Sequence, residues 1–405
     1  MPRLIESSDR KAIDGVLRRR ARRDRTIARR AAAIVGAVRR GGDAALASFA
    51  RKLDGLDGPI ELSRREIRTG AARAPRDVRR AIASAARAIR KLAERQVPRP
   101  IRVSTTPGVA IELRPIPLAR VGCYVPGGRF PLVSTVLMTA IPASAAGVAE
   151  IVVTSPRPGP AILAAAHEAG VTRLFRVGGA HAIAALAYGT GSVPRVDKIV
   201  GPGNAWVAAA KRLVARDCDV DFEAGPTELV IVSVNGLARE ISADLAAQAE
   251  HDPDARALLI TPNRRLGTEV AAAKAGDVIV TQTVAEALAL VNSMAPEHVA
   301  VDDERMAVLI RNAGTIFVGR WSAPAAGDYA TGSNHVLPTG GAARTRGGLS
   351  ASDFVKIVAI QRLTRQGLHR IAPAALALAR AEGLRAHARS IEVRFQGIGA
   401  PGYRL

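Results

Sequence analysis

Cysteine, aromatic residues and long apolar runs are all scarce in this 405-residue sequence. Two cysteines, Cys123 and Cys218, are too few for a disulfide framework or a cysteine-ligated metal, so a reducing compartment, the cytoplasm, is expected. No run approaches ~18 apolar residues, and residues 1–10 contain no apolar signal core, so neither a membrane span nor secretion is predicted. An aromatic content of 3% leaves few rings for stacking on nucleic-acid bases.

Hydrophobic residues make up 48% of the chain, which is enough to bury the cores of more than one domain. The formal net charge is +22, and residues 1–100 hold 27 Lys and Arg against 11 Asp and Glu, so the excess is mainly N-terminal. There the arginines alternate with alanine and isoleucine at helical spacing, which indicates a solvated helix face. No specific nucleic-acid partner is therefore expected, and a non-catalytic, basic, nucleic-acid-associated protein is kept as an alternative.

From residue 150 onward, short β-branched runs alternate with alanine-rich helical runs. Strands are predicted at 151–154, 173–177, 198–200, 228–234, 257–261, 278–281, 299–301 and 315–318. Such alternation predicts an α/β fold with parallel sheets and crossover helices. Gly- and Pro-rich interruptions near 121–130 and 220–227 favour two Rossmann-like lobes over a single eight-stranded barrel.

The two lobes are predicted to be flanked by arms at both ends of the chain. Residues 1–22 form an N-terminal arm, 23–120 and 228–348 a discontinuous first lobe, 121–227 the second lobe, and 349–405 a C-terminal helical arm. Residues 391–395 are predicted to be extended at the end of that arm.

Side chains that can bind metal are spread over the C-terminal half of the chain. Gln248 and His251 lie three residues apart on a predicted helix and share one face, although such residues are commonly surface groups. Zinc accepts nitrogen and oxygen ligands, so this turn could hold it if partners came from elsewhere. Asp328, in a loop rich in Gly and Asn, and His387 are candidates, although a turn cap and a solvated histidine are the commoner explanations of such residues taken alone.

Glu297 and His298 are adjacent at the junction of a helix and an apolar strand. The histidine could accept an alcohol proton at neutral pH, and the glutamate could activate water if burial raised its pKa. An exposed cap beside a surface histidine is the alternative.

Glycine-rich turns follow several of the predicted strands, at 122–128, 178–179 and 201–203. They could present backbone N–H groups to phosphate, although tight turns without a ligand would need the same glycines. None of them matches G-x-G-x-x-G, so the common dinucleotide fingerprint is absent.

Several long motifs, in one order along the chain, resemble the histidinol dehydrogenase family. They are GCYVPGG (122–128), VGGAHAIAALAYGT (177–190), VDKIVGPGN (196–204), AGPTE (224–228), QAEHD (248–252), PEH (296–298) and GDYATGSNHVLPT (327–339). The resemblance extends from about residue 43 to 394. It implies an enzyme of the last step of histidine biosynthesis, which oxidises L-histidinol to L-histidine through L-histidinaldehyde and reduces two NAD, with zinc bound.

The resemblance also implies roles for individual residues. Glu297 and His298 match the catalytic acid/base pair of the family. The implied zinc ligands are Gln248, His251, Asp328 and His387, the last contributed by the other subunit of an intertwined homodimer with shared active sites. The implied substrate-binding residues are these four ligands together with Thr227, His298, His335 and Glu382. The implied NAD-binding residues are Tyr124, His181 and Asn204.

Two of these positions differ from the usual family pattern. His181 stands where members usually have Gln, and Thr227 where they usually have Ser. Some relatives act on other alcohols, including sulfonated ones, with the same zinc site. A paralogous zinc- and NAD-dependent dehydrogenase is therefore the second interpretation, and Glu382 at the substrate position favours histidinol.

Overall fold

A computed structural model describes residues 3–17, 25–127, 132–222, 225–251 and 253–395. The strands of this part of the chain are β1 (Leu4–Glu6), β2 (Glu61–Leu62), β3 (Ile101–Thr106), β4 (Val109–Pro117), β5 (Arg120–Tyr124), β6 (Glu150–Thr154), β7 (Arg173–Phe175), β8 (Lys198–Val200), β9 (Asp219–Val220), β10 (Glu228–Val232), β11 (Arg256–Thr261), β12 (Asp277–Val280), β13 (His298–Val301), β14 (Thr315–Val318) and β15 (Val355–Leu363).

The α-helices of the same residues are α1 (Arg10–Leu17), α2 (Arg25–Phe49), α3 (Arg64–Ala72), α4 (Arg76–Gln96), α5 (Val133–Ala145), α6 (Pro160–Glu168), α7 (Gly179–Tyr188), α8 (Ala205–Val214), α9 (Ala238–Glu250), α10 (Arg264–Ala272), α11 (Val284–Met294), α12 (Glu304–Ala307), α13 (Pro324–Gly327), α14 (Arg365–Ala381) and α15 (Arg385–Glu392). None of these helices combines the length and apolarity needed to cross a membrane.

The described residues divide into two compact units. The first comprises the described parts of Met1–Val97 and Pro117–Phe354, and the second those of Pro98–Ile116 and Val355–Leu405.

The first unit contains two six-stranded sheets, called here the catalytic sheet, after the predicted acid/base pair, and the nucleotide sheet, after the predicted NAD positions. The catalytic sheet has the order β1-β12-β11-β10-β13-β14, and every described pairing in it is parallel. Its central strands are apolar on both faces because helices cover both. Helices α9 and α10 pack on one face around Leu245 and Leu259, and α1 and α11 contribute Ile13 and Val291 to a core with Val299 on the other.

The nucleotide sheet has the order β2-β7-β6-β5-β8-β9. Its pairings are parallel except for the short edge strand β2, which pairs antiparallel with β7. The α-helices α2, α7 and α8 form one core with this sheet, including the fully buried Leu46, Phe175 and Ile183. The two predicted Rossmann-like parallel sheets are thereby confirmed.

The second unit is built on a three-stranded sheet of order β15-β4-β3, followed by α14 and α15. Residues 391–395, predicted to be extended, are helical. The nine-residue strand β15 in the predicted helical arm was not foreseen, because most of its side chains are exposed and it lacks the apolar run typical of a buried parallel strand.

The predicted assignment of residues 23–120 to the first lobe is corrected by the structure. Helix α2 packs against α7 and α8, and α3 and α4 pack against α5 and α6, so residues 25–96 accompany the nucleotide sheet. Residues 98–116 belong to the second unit. In the predicted N-terminal arm, β1 is the edge strand of the catalytic sheet, where Ile5 joins the apolar core. The sequence of an amphipathic helix shows which face is apolar but not which sheet that face packs against, which explains the misassignment.

Candidate functional site

Glu297 and His298 lie at the amino-terminal edge of the catalytic sheet. Helix α11 ends at Ala295, whose φ of 49° is left-handed and rare for a residue with a Cβ. Pro296 follows and cannot continue the helix. The chain therefore turns sharply, so Glu297 lies in the turn and His298 is the first residue of β13.

The carboxylate of Glu297 is buried, with 6% of the residue exposed. Its Oε2 atom accepts a hydrogen bond from the Thr227 hydroxyl at 2.6 Å and another from the Glu228 backbone N–H at 2.9 Å. Burial raises the pKa of Glu297 to about 8, against the opposing effect of these two hydrogen bonds. No donor from the described residues is recorded for Oε1. The group is therefore suited to taking a proton near neutral pH.

His298 is oriented by the backbone of the neighbouring strand. Its Nδ1 atom lies 3.2 Å from the carbonyl oxygen of Glu228, so a proton on Nδ1 is donated there and Nε2 keeps its lone pair. The ring stacks on Phe317 with 5.9 Å between centroids. Burial lowers the pKa of His298 to about 4, so the imidazole is neutral at pH 7 and can act as a base.

Gln248 is joined to Glu297 through a single hydroxyl group. Its Nε2 atom donates to the Thr227 Oγ1 atom at 2.7 Å, and that hydroxyl donates onward to Glu297. Because the amide nitrogen is committed to Thr227, the amide oxygen of Gln248 is left as the acceptor. Thr227, predicted to contact substrate, is thus a bridge between a predicted metal ligand and the predicted base.

Asp328 approaches His298 from the loop that follows α13. Its Oδ1 atom lies 3.7 Å from His298 Nε2. The approach depends on Gly327, where an added Cβ would come within 2.6 Å of the Phe317 ring. Burial raises the pKa of Asp328 to about 6, and nearby His251 opposes this shift. A cation near this carboxylate would compensate for the desolvation.

The donor set around Asp328 fits a zinc ion. His251 directs Nδ1 to the Ala247 carbonyl oxygen at 3.2 Å, an arrangement that leaves Nε2 free for a metal, and the Gln248 amide and Asp328 carboxylate supply oxygen. Within the described residues, no three His, Cys, Asp or Glu side chains group as a metal site. Of the four predicted zinc ligands, Gln248 is not one of these residue types and His387 belongs to the second unit. Only His251 and Asp328 remain in the first unit, so a group of three is not expected there.

The remaining predicted ligand and substrate positions are divided between the two units. His335 is in the first unit, with its ring nitrogen Nε2 3.0 Å from Ser134 Oγ, and burial lowers its pKa to about 4. Glu382 and His387 are in the second unit, where both are exposed. Their membership of the site stays a prediction.

The predicted NAD positions lie at the carboxyl edge of the nucleotide sheet. Tyr124 ends β5, and its hydroxyl accepts a hydrogen bond from the Gly179 N–H at 3.1 Å. Asn204 follows β8 and caps α8. The sheet order reverses between β5 and β8, and ligands of open α/β sheets bind at such a reversal.

His181, the third predicted NAD position, is almost wholly buried. Its Nε2 atom lies 2.7 Å from the Asp54 carboxylate, and its Nδ1 atom has no partner among the described residues. The carboxylate of Asp54 also accepts from the Gly178 N–H, so the pair supports the turn that opens α7. A contact between His181 and NAD stays a prediction.

A sequence model of the histidinol dehydrogenase family matches residues 17–395 of this chain. The chain belongs to the histidinol dehydrogenase family. It is 47% identical over 391 residues to the histidinol dehydrogenase of Caulobacter vibrioides, a match that covers 90% of this chain and 91% of the relative. It is 44% identical to that of Thermus thermophilus, with 89% and 93% covered.

A solved histidinol dehydrogenase from Elizabethkingia anophelis superposes with a TM-score of 0.92 at 30% identity, and 98% of each chain is covered. The predicted family, fold class and enzyme class are confirmed by these matches. As a histidinol dehydrogenase family member the chain is an NAD-dependent oxidoreductase.

The role of Glu228, whose backbone groups orient Glu297 and His298, was not predicted from the sequence. Its N–H binds Glu297, its carbonyl faces His298, and its own buried carboxylate pairs with Arg256 at 3.0 Å. The signals in the sequence are its place at the end of the AGPTE motif and an acidic side chain opening an apolar strand directly after Thr227. Such a residue is commonly an exposed strand end.

Proposed function

We propose that this chain catalyses the zinc-dependent oxidation of L-histidinol to L-histidine through L-histidinaldehyde, with two NAD reduced per substrate. The observation that carries the proposal is the buried pair Glu297 and His298, held by Thr227 and Glu228 beside Gln248 and Asp328. A base that is neutral at pH 7 and a carboxyl group of raised pKa are the two proton acceptors that successive oxidations need.

His298 acts in the first oxidation. Its Nε2 atom accepts the hydroxyl proton of the alcohol as a hydride departs, and the Glu228 carbonyl stabilises the resulting imidazolium through Nδ1–H. The stacking of Phe317 fixes the plane of the ring, so the lone pair keeps its direction.

Glu297 acts in the second oxidation. Its carboxylate takes a proton from the water that adds to the aldehyde, and the resulting hydrate loses the second hydride to give the carboxylate product. Thr227 and Glu228 hold Oε2, so the Oε1 lone pairs are left for the water.

Gln248, His251, Asp328 and His387 would hold zinc. When bound, zinc would orient the imidazole and amino nitrogens of histidinol, and NAD would accept the hydrides. Thr227, His335 and Glu382 would complete the substrate site, and Tyr124, His181 and Asn204 would bind NAD. The exposed position of His387 and Glu382 in a separate unit is compatible with a homodimer that shares its active sites, and two buried free cysteines fit the cytoplasm.

The experiment is a stoichiometric NADH assay on the purified, zinc-loaded chain. The wild-type protein should form two NADH per L-histidinol, whereas Glu297→Gln should form one and release the aldehyde. His298→Asn should lose about 10²–10⁴-fold in the first step, the usual contribution of a general base. A sulfonated alcohol serves as the comparison substrate. Turnover of that alcohol with none of histidinol would contradict the proposal.

A further inference from the structure

A buried ion pair lies beneath the turn that joins β8 to α8. Lys211 on α8 and Asp221 after β9 expose 2% and 1% of their side chains, and Lys211 Nζ lies 2.6 Å from Asp221 Oδ1. Two charges that are removed from water in this way add little net stability by themselves. The role of the pair is therefore sought in its hydrogen bonds to neighbouring residues.

The pair holds both polar groups of one residue, Gly201. The ammonium group of Lys211 donates to the Gly201 carbonyl oxygen at 2.6 Å, and Asp221 Oδ2 accepts from the Gly201 N–H at 2.7 Å. Because the N–H and the carbonyl are fixed together, the peptide planes on both sides of Gly201 are fixed.

Gly201 is a position where only glycine fits. Its φ of 113° lies in the region that residues with a Cβ rarely adopt, and an added Cβ would collide with the backbone oxygen of Tyr124. The turn therefore packs directly on the end of β5. Two residues further on comes Gly203, and then Asn204, which caps the helix that carries Lys211.

Asp221 also begins the crossing from the nucleotide sheet to the catalytic sheet. Its backbone carbonyl accepts from Arg346, whose guanidinium lies over the Phe222 ring. Six residues after Asp221 the chain reaches Thr227, the hydroxyl that binds Glu297. One ion pair thus joins the 201–204 turn to Asp221.

We propose that Lys211 is a positioning residue, which with Asp221 sets the 201–204 turn in the conformation that receives NAD. The inference rests on the proposed function, because it takes Tyr124 and Asn204 to contact the cofactor. Lys211 itself does not touch NAD, since its ammonium group is committed to Gly201 and Asp221. Its role is to make the turn rigid before binding, which reduces the entropy lost when the complex forms.

The test compares wild-type protein with Lys211→Met and with Lys211→Met/Asp221→Asn. The double variant leaves no uncompensated buried charge if the single one fails to fold. The matched control is Lys198→Met. Lys198 is also a buried lysine of the nucleotide sheet, but its partner is Asp219 at 3.0 Å, and no contact with the turn is recorded for it.

Affinity for NADH is measured by fluorescence titration without substrate, alongside KM for NAD, kcat and hydrogen exchange of residues 199–207. We expect the Lys211 variants to raise the NADH Kd about tenfold or more, as loss of a charge-assisted hydrogen bond would. Amide exchange in the turn should accelerate, and kcat at saturating NAD should stay within about twofold. The control should lower Tm without changing Kd.

Folded Lys211 variants with wild-type Kd, KM and exchange would overturn the inference and leave the proposed function intact. If neither variant folds, the role of the Lys211–Asp221 pair is to stabilise the fold, and the inference is overturned in that case as well. If the wild-type protein binds no NADH, the proposed function fails as well, so the two failures are distinguishable.

Discussion

Replacing Thr227 with Val tests whether one hydroxyl couples the predicted metal ligand to the predicted base. The substitution keeps the shape of the side chain but removes the donor to Glu297 at 2.6 Å and the acceptor for Gln248 at 2.7 Å. A hydrogen bond to a charged group contributes about 1.5–3 kcal/mol, so the second oxidation should slow about ten- to hundredfold. The carboxylate would retain one recorded donor, the Glu228 N–H.

The same change has a defined effect on pH dependence. The pKa of Glu297 is about 8, and the hydrogen bond from Thr227 is among the effects that lower it. Without that bond the carboxylate is less stable, so its pKa rises and the deprotonated form appears only at higher pH. The rising limb of kcat against pH should therefore move to higher pH in Thr227→Val.

The assay follows NADH from L-histidinol and, separately, from L-histidinaldehyde, across the pH range in which Glu297 titrates. Thr227→Ser is the control, because serine keeps the hydroxyl and should keep the wild-type profile. A Thr227→Val protein with the wild-type rate, pH profile and zinc content would refute the bridging role.

Three further outcomes are expected. Removal of metal by a chelator should abolish turnover and added zinc should restore it, and full activity after complete removal would contradict the ligand set. Mixing His387→Ala with Gln248→Ala chains should recover partial activity if subunits share ligands, whereas reassembled heterodimers without activity would indicate a self-contained site. Phe175→Ala should lower the free energy of unfolding by about 3–5 kcal/mol in urea titrations, since the ring is fully buried. The exposed Leu237→Ala is its control and should change it little.

Eight of the twelve described strands in the two six-stranded sheets were predicted from the sequence, each to within about two residues, whereas β1, β2, β5 and β9 were not predicted. The strand predicted at 198–200 matches β8, and that at 315–318 matches β14. Strands buried on both faces form short, continuous apolar runs between helices, which a local pattern reveals. The strands of the second unit lack this signal, since five of the six residues of β3 are exposed.

The chemistry of the site was only partly predictable. The adjacency of Glu297 and His298 is local and could be read directly, but their pKa values depend on burial and on Glu228, which is 69 positions from Glu297. The structure joins Gln248, Glu297, His298 and Asp328 through recorded contacts. It does so at the amino edge of a sheet, whereas such folds usually bind ligands at the carboxyl edge.

The sequence by itself determined the alternation of strands and helices from residue 150 onward, the presence of two parallel sheets and the family to which the chain belongs, because local periodicity and contiguous motifs carry that information. Only the tertiary structure decided that Thr227 bridges Gln248 and Glu297, that Glu228 aligns the acid/base pair, and that Lys211 and Asp221 hold Gly201 from both sides. Each of these features depends on distances between segments far apart in the chain and on the removal of charges from water. A local run of residues reveals neither those distances nor that burial.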